Sequence, residues 1–270
     1  MHSRHISRWL ALLWLSALLL GGLLLPMVSR FDPLLIDLLN ALSHPTLQHL
    51  AGTDELGRDV LIRTLAASET SLIIAVCTSV AAVSIGTTLG ILAGFLGGVS
   101  GVAVSVATDF LWSVPCLVLV LLAVSVLGVS PLSLICTIAA INWVTSARIV
   151  RERVIAFRSE PFLRTARAYG FGNFNIVFRQ VLPNLKSLVL VLLAYGAVEV
   201  IFLESGLAFL GLGLPLPRPT WGGMIAEGLA YFSSASWLVL VPSVTLVITL
   251  YSLQTIARSY EEQTRYQLHA

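Results

Sequence analysis

The sequence predicts an all-α polytopic membrane protein with six transmembrane helices and both termini in the cytoplasm. Three observations carry this expectation. The 270 residues are 57% hydrophobic and 11% charged, with a mean hydropathy of +0.90, whereas soluble domains carry about 25% charged residues. Apolar runs of spanning length recur along the chain, separated by glycine, proline or charge. The basic residues gather on alternate sides of those runs.

Residues 9–28 form the first run. Arg4 and Arg8 precede it, and its length of about 20 residues suffices to cross a bilayer. A secretory signal begins in the same way, but no small-x-small cleavage pattern stands out near Pro26, so an uncleaved span is expected. Residues 30–70 lean acidic, with Asp32, Asp37, Asp54, Glu55, Asp59 and Glu69 against Arg30, Arg58 and Arg63. Pro33 and Pro45 exclude an early helix. A helical pattern starts at Glu55 and runs into a second span at 71–96. Gly97, Gly98, Ser100 and Gly101 mark a tight turn. The third span covers 102–127, with Asp109 near its start and a kink at Pro115. The fourth, 132–147, is short and continues as helix into the stretch that follows.

That stretch, 147–183, is the longest polar interval. Arg148, Arg151, Arg153, Arg158, Arg164, Arg167 and Arg179 face only Glu152 and Glu160. Residues 162–169 place small and polar residues among bulky ones at helical spacing. Gly170 and Gly172 break that short helix, and a second piece, 176–182, ends at Pro183. Helix, glycine turn and helix, held by two spans, predict a compact knob that fits a groove on another protein and moves as a rigid body. The plain alternative, a solvated loop obeying the positive-inside rule, accounts for the charge but not the pattern.

The fifth span, 187–207, contains Glu199 and Glu204. Residues 206–236, rich in glycine, proline and aromatics, predict a re-entrant or interfacial segment packed on protein. The sixth span is 237–256. Three regions result: 1–70, a span with an extracytoplasmic segment; 71–256, the transmembrane core with its loop at about 148–184; and 257–270, a polar cytoplasmic tail. This topology places Arg4, Arg8, the 148–186 cluster with Lys186, Arg258 and Arg265 inside. Only Arg30, Arg58, Arg63 and Arg218 lie outside. The turn at 97–101 is cytoplasmic here yet carries no basic residue.

Ionised groups within spans are costly and face cavities or the bundle interior. Asp109 reads as pathway-lining or, near the cytoplasmic end, as interfacial and solvated. Glu199 and Glu204, five positions apart, are about 140° apart round a helix and cannot share a narrow face. Glu204, near the outer end, is expected to bond the 206–221 segment. Glu199 lies deeper and is the better candidate for lining the path of a cationic solute, with an inter-helix hydrogen bond or a protonated carboxyl as an equal alternative. Gly57, Arg58 and Asp59 read as a gate or, preferably, as an ion-paired brace for the second span. Trp221 with Gly222 and Gly223 reads as a tight turn rather than a ligand cage. Cys77, Cys116 and Cys136 all sit in apolar runs, where small buried hydrophobes are expected rather than a disulfide or metal site. The basic pI follows membrane topology and does not argue for nucleic acid.

The basic stretch resembles the EAA loop of ABC-importer permeases. Ala166, Gly170, Leu182 and Pro183 keep its spacing, while Arg164 stands where an acid is usual and Thr165 where the first alanine often sits. Three further segments narrow the resemblance to the second permease type of the dipeptide/oligopeptide/nickel branch. These are GTDELGRDVLIRTL at 52–65, NWVTSARIVRERVIAFRSEPFLRTARAYGFG at 142–172 and FLGLGLPLPRPTWGGMI at 209–225. Together they cover most of the chain from Gly52 in family order. Glu69 and the tail at 253–265 depart from the branch. The resemblance implies a bacterial or archaeal inner-membrane subunit forming half of an alternating-access pathway for peptides or nickel and other metal chelates. It implies a second homologous permease, an extracytoplasmic binding protein, and two ATPases docked through Arg164, Thr165, Ala166, Arg167, Gly170, Leu182 and Pro183.

No phosphate-binding G-x4-GK[ST] occurs, and the only lysine is Lys186. ATP and Mg are therefore expected in the partner ATPase, with no cofactor on this chain. Two rivals fit less well. An intramembrane enzyme needs a nucleophile and base, or metal ligands, but His2, His5, His44, His49 and His269 lie outside the spans, and Asp109 and Glu204 near opposite faces. An ion-coupled transporter needs midplane ionisable groups in several spans and repeat symmetry, and only Glu199 qualifies.

Overall fold

A computed structural model describes residues 2–24, 32–215 and 217–269. The long helices are α1 (His2–Leu24), α2 (Val60–Leu96), α3 (Gly98–Trp112), α4 (Cys116–Leu127), α5 (Pro131–Phe157), α8 (Leu182–Leu207) and α10 (Trp237–His269). Shorter are α6 (Pro161–Ala168), α7 (Asn173–Ile176) and α9 (Trp221–Leu229). No strand occurs among the described residues, only an isolated bridge between Thr53 and Asp59.

Local chemistry sets the ends of these helices. Asp59 caps α2 by accepting from Ile62 N at 3.0 Å. Ser130 and Ser133 form a reciprocal capping box at α5, with Pro131 at the first helical position. Thr220 caps α9 by accepting from Gly223 N at 3.1 Å. Each cap satisfies an N–H that the first turn leaves without a partner.

Helix direction follows from a stripe of glycines. Gly86, Gly90 and Gly94 of α2 press against the backbones of α5 near Trp143 and Ala147, near Ala147 and Val150, and near Arg151 and Val154. Both sequences ascend together, so α2 and α5 are parallel, and small residues let their axes close. Parallel neighbours require the intervening chain to return the full length of the bundle, and the α3–α4 pair does this. By the same reading α8 is antiparallel to α2: Ser79 Oγ donates to Leu193 O at 2.7 Å, while Leu92 shares a cleft with Leu182 and Val177. Ser68 Oγ donates to Leu18 O at 3.0 Å, and Trp14 Nε1 to Thr249 Oγ1 at 3.1 Å. Arg8 lies over the Tyr260 ring at 5.3 Å. The start of α1, the end of α10 and the basic stretch therefore share one end of the bundle.

Among the described residues, four helices are long and apolar enough to cross a membrane: α2, α5, the helix running Asn173–Leu212 and Trp237–Glu261 of α10. A fifth results if α3 and α4, bent by 86°, form one broken span. The apolar part of α1, Ser7–Gly22, is shorter, and 25–28 of the expected first span lie outside the described residues.

Several expectations are corrected. The second helix starts at Val60, so residue 70 falls within it. Pro115 gives a break rather than a kink: Ser113–Pro115 leave the helical path between α3 and α4, and Pro115, lacking an N–H, opens α4. Because the helix starts at Gly98 and breaks there, Asp109 sits in the last turn of α3 rather than near a span's start. Pro183 does not end a helix. The five residues Val177–Val181 form a wider π turn in which Leu182 N bonds Val177 O. That turn accommodates the proline's missing N–H and ring without a break. Asn184 Nδ2 then donates to Gln180 O at 2.6 Å. Apart from these corrections, the polar tail is the end of α10, helical to His269.

Candidate functional sites

At the basic end, Arg158 closes α5, and its Nη2 donates to Phe95 O at 3.0 Å, capping α2. Pro161 opens α6. Leu163 and Ala166, one turn apart, are buried against Phe95 of α2, Val150, Val154 and Phe157 of α5, and Ile176, Val181 and Leu185 of the next helix. Gly170 has φ 77°, the left-handed conformation that ends a helix at little cost only for glycine, and Phe171 N bonds back to Ala166 O at 3.2 Å. The result is a short helix, a glycine turn and a second helix on a shared apolar base. Arg164 and Thr165 face outward and are exposed, as are Gly170, Leu182 and Pro183. Ala166 is packing rather than surface, and the exposed Arg167 turns its guanidinium over the Phe95 ring at 5.7 Å.

A second candidate lies between α5 and α8. Glu199 borders two adjoining clefts. Ser79, Asn142, Thr145, Ser146 and Tyr195 give the first its polar groups, and Trp112, Pro115 and Cys116 line the second. Asn142 lines both clefts beside Glu199. Asn142 was not anticipated, although an asparagine inside an apolar run is itself a signal. Asp109 sits at the negative end of α3, where a carboxylate is disfavoured. Arg148 compensates from 3.5 Å and stacks over Trp112 at 4.2 Å. Glu204 is apart from these groups: it is buried, faces Thr220 of the 206–221 segment, and its Oε1 has no partner among the described residues.

The opposite end holds a buried charge cluster. Asp54 Oδ1 accepts from Leu56 N and Arg58 N, both at 2.9 Å. Its Oδ2 accepts from Arg58 Nε at 2.7 Å and from Arg63 Nη1. Arg58 also reaches Glu55 at 3.1 Å and Arg63 reaches Glu227 at 3.2 Å. The brace is thus built on Asp54. Asp59 instead caps α2 and meets His49 Nδ1 at 3.0 Å. Glu227 was missed, since pairing across 164 positions leaves no local trace. Gly57, at φ 73°, lies where any Cβ would strike the Asp37 carbonyl. Trp221 begins α9 rather than forming a turn: it is fully buried, and its Nε1 donates to Thr64 O at 3.1 Å. Its own N–H reaches Ser71 Oγ at 3.3 Å.

The described residues thus form an apolar helical bundle with a basic helix–turn–helix at one end and polar clefts between its helices. The match to known proteins is specific. Residues 86–260 fit the model of the binding-protein-dependent transport system inner membrane component, and the chain belongs to that family. It is 31% identical to the oligopeptide transport system permease protein OppC of Bacillus subtilis, over 88% of this chain and 78% of that one. It is 33% identical to the dipeptide transport system permease protein DppC of Alkalihalophilus pseudofirmus, over 80% and 71%. A putative peptide permease protein of Brucella suis is 32% identical over 91% and 82%. The family comprises permease subunits of bacterial ABC importers, which are not enzymes, work with ATPase and substrate-binding proteins, and reside in the inner membrane.

Proposed function

We propose that this chain forms half of a peptide pathway and couples it to the ATPase through the knob at 148–184. The observation that carries this reading is the exposed face of α6, Arg164 and Thr165, mounted on an apolar base shared by α2, α5 and α8. A push on α6 reaches three long helices at once. The relatives named above act on peptides, which favours peptides over nickel chelates as cargo. The six spans are α1, α2, the α3–α4 pair, α5, the 173–212 helix and α10, with both termini and the knob in the cytoplasm. Concentration of basic residues at that end supports this orientation. The regions 1–70, 71–256 and 257–270 then serve as first span with its extracytoplasmic segment, pathway core with the knob, and cytoplasmic tail.

A second, homologous permease completes the pathway against the clefts that Glu199 borders, with the Asp109–Arg148 pair beside them through Trp112. Two ATPases carry ATP and Mg, and an extracytoplasmic binding protein delivers cargo at the Asp54 end. Glu204, Gly57, Arg58, Asp59 and Trp221 hold that end together. The test is Gly170→Pro, which φ 77° forbids. The variant should insert normally, lose peptide uptake and release the ATPase on purification through a tag on this chain. Wild-type uptake would remove the coupling assignment.

A further inference from the structure

We propose that the apolar cleft between α2 and the 173–212 helix binds one anionic phospholipid, with its headgroup against Arg158 and Arg167. The two segments of this cleft share Ile91, Leu92, Val177 and Phe178, so they form one continuous groove. The groove follows α2 from Leu96 to Val80, about 24 Å at the helical rise. One leaflet's hydrocarbon is half of about 30 Å, so a full acyl chain fits along it.

The groove's mouth is what selects the occupant. Phe95 lines it, and two guanidinium groups bracket Phe95: Arg158 on its carbonyl at 3.0 Å and Arg167 over its ring at 5.7 Å. Neither meets a carboxylate among the described residues, and Arg158 Nε is buried there without a partner. Phe174 and Phe178, exposed and 4.4 Å apart, add aromatic wall at the level where a headgroup meets the chains. A phosphate with an attached chain satisfies charge and groove together. A protein helix in the same place would need an acid at its end to do so. The side of the membrane rests on the orientation proposed above; the site itself does not.

The assembled importer would be reconstituted into nanodiscs holding phosphatidylcholine and a photoactivatable phosphatidylglycerol, and adducts mapped by mass spectrometry. Adducts are expected on residues 80–96 and 174–182. Arg167→Gln or Arg158→Gln should lower their yield about fivefold each, the factor for one basic residue at an anionic surface. A photoactivatable phosphatidylcholine should label the groove weakly and without dependence on either arginine. Equal labelling by both lipids, or no adduct in the groove, would overturn the proposal. So would cross-linking of Phe178→Cys to the second permease, in a background lacking Cys77, Cys116 and Cys136, since it would place protein there. The readout is the position and yield of lipid adducts rather than uptake or ATPase retention, and Arg158 lies outside the docking residues, so loss of adducts in Arg158→Gln with the ATPase retained separates this site from the coupling assignment.

Discussion

At one end of the bundle Arg58 and Arg63 are 4% and 3% exposed and share the Asp54 carboxylate; at the other Arg164 stands exposed with no ion pair among the described residues. Composition explains the difference. The 52–59 segment brings three acids with its arginine, and two left-handed glycines, Gly52 and Gly57, fold it tightly enough to bury Asp54 and Arg58. The 161–168 helix brings two arginines and no acid, so its charges stay in water. Buried and paired charges fix a geometry; exposed and unpaired ones offer a surface. The same residue type thus makes an internal clamp at one end and a docking face at the other.

Asp54→Ala tests the clamp and should have the largest effect. It leaves two buried guanidinium groups without their common acceptor, a loss of about 3–5 kcal/mol for a broken buried pair. Thermal unfolding of the detergent-purified protein should shift far down, and little should reach the membrane fraction. A melting temperature near wild type would mean the cluster is dispensable and the two ends are alike.

Gly90→Leu tests what ties the ends together. Its Cβ would already lie 2.7 Å from Ala147 O, so the parallel α2–α5 contact must open. Overpacking of this kind costs about 1–3 kcal/mol. Because Arg158 of α5 caps α2 through Phe95 O, the change should also loosen the knob. Proteolysis at 158–172 should speed up while the 32–59 segment stays protected. Equal protection at both sites would show that the glycine stripe does not link them.

Much of this was legible in the chain. Apolar runs alone define a helical membrane protein, and Gly170 announces its turn because a left-handed residue is needed there. The direction of α5 against α2 is also written, in the Gly86, Gly90 and Gly94 spacing, though it has meaning only once the facing residues are known. Other features were not readable. Pro183 signals a helix end, and only the π turn ahead of it, a property of the backbone over several residues, lets the helix run on. Pro115 signals a bend without its 86° size, which packing sets. Glu227 looks like any acid on a short helix until Arg63 reaches it. Thr53, Asp54 and Arg58 belong to a recognisable motif, yet the motif does not say which acid holds the arginine.

The exposed end gives the smallest effect on stability and therefore the most informative variant. Arg164→Glu touches no buried group, so its effect on unfolding should stay within about 0.5 kcal/mol, as for surface substitutions in general. It also restores the acid that the family's loop usually carries at this position. If the knob docks through a complementary acidic patch that evolved with this chain, the substitution juxtaposes like charges, slows association and makes it respond to salt in the opposite sense. ATPase retained on the tagged chain should fall at low salt and recover as salt rises, with melting unchanged. Unaltered retention at every salt concentration would leave Arg164 a solvated charge of the positive-inside kind. The docking would then rest on the shape set by Leu163, Ala166 and Gly170, and the contrast between the two ends would be one of burial alone.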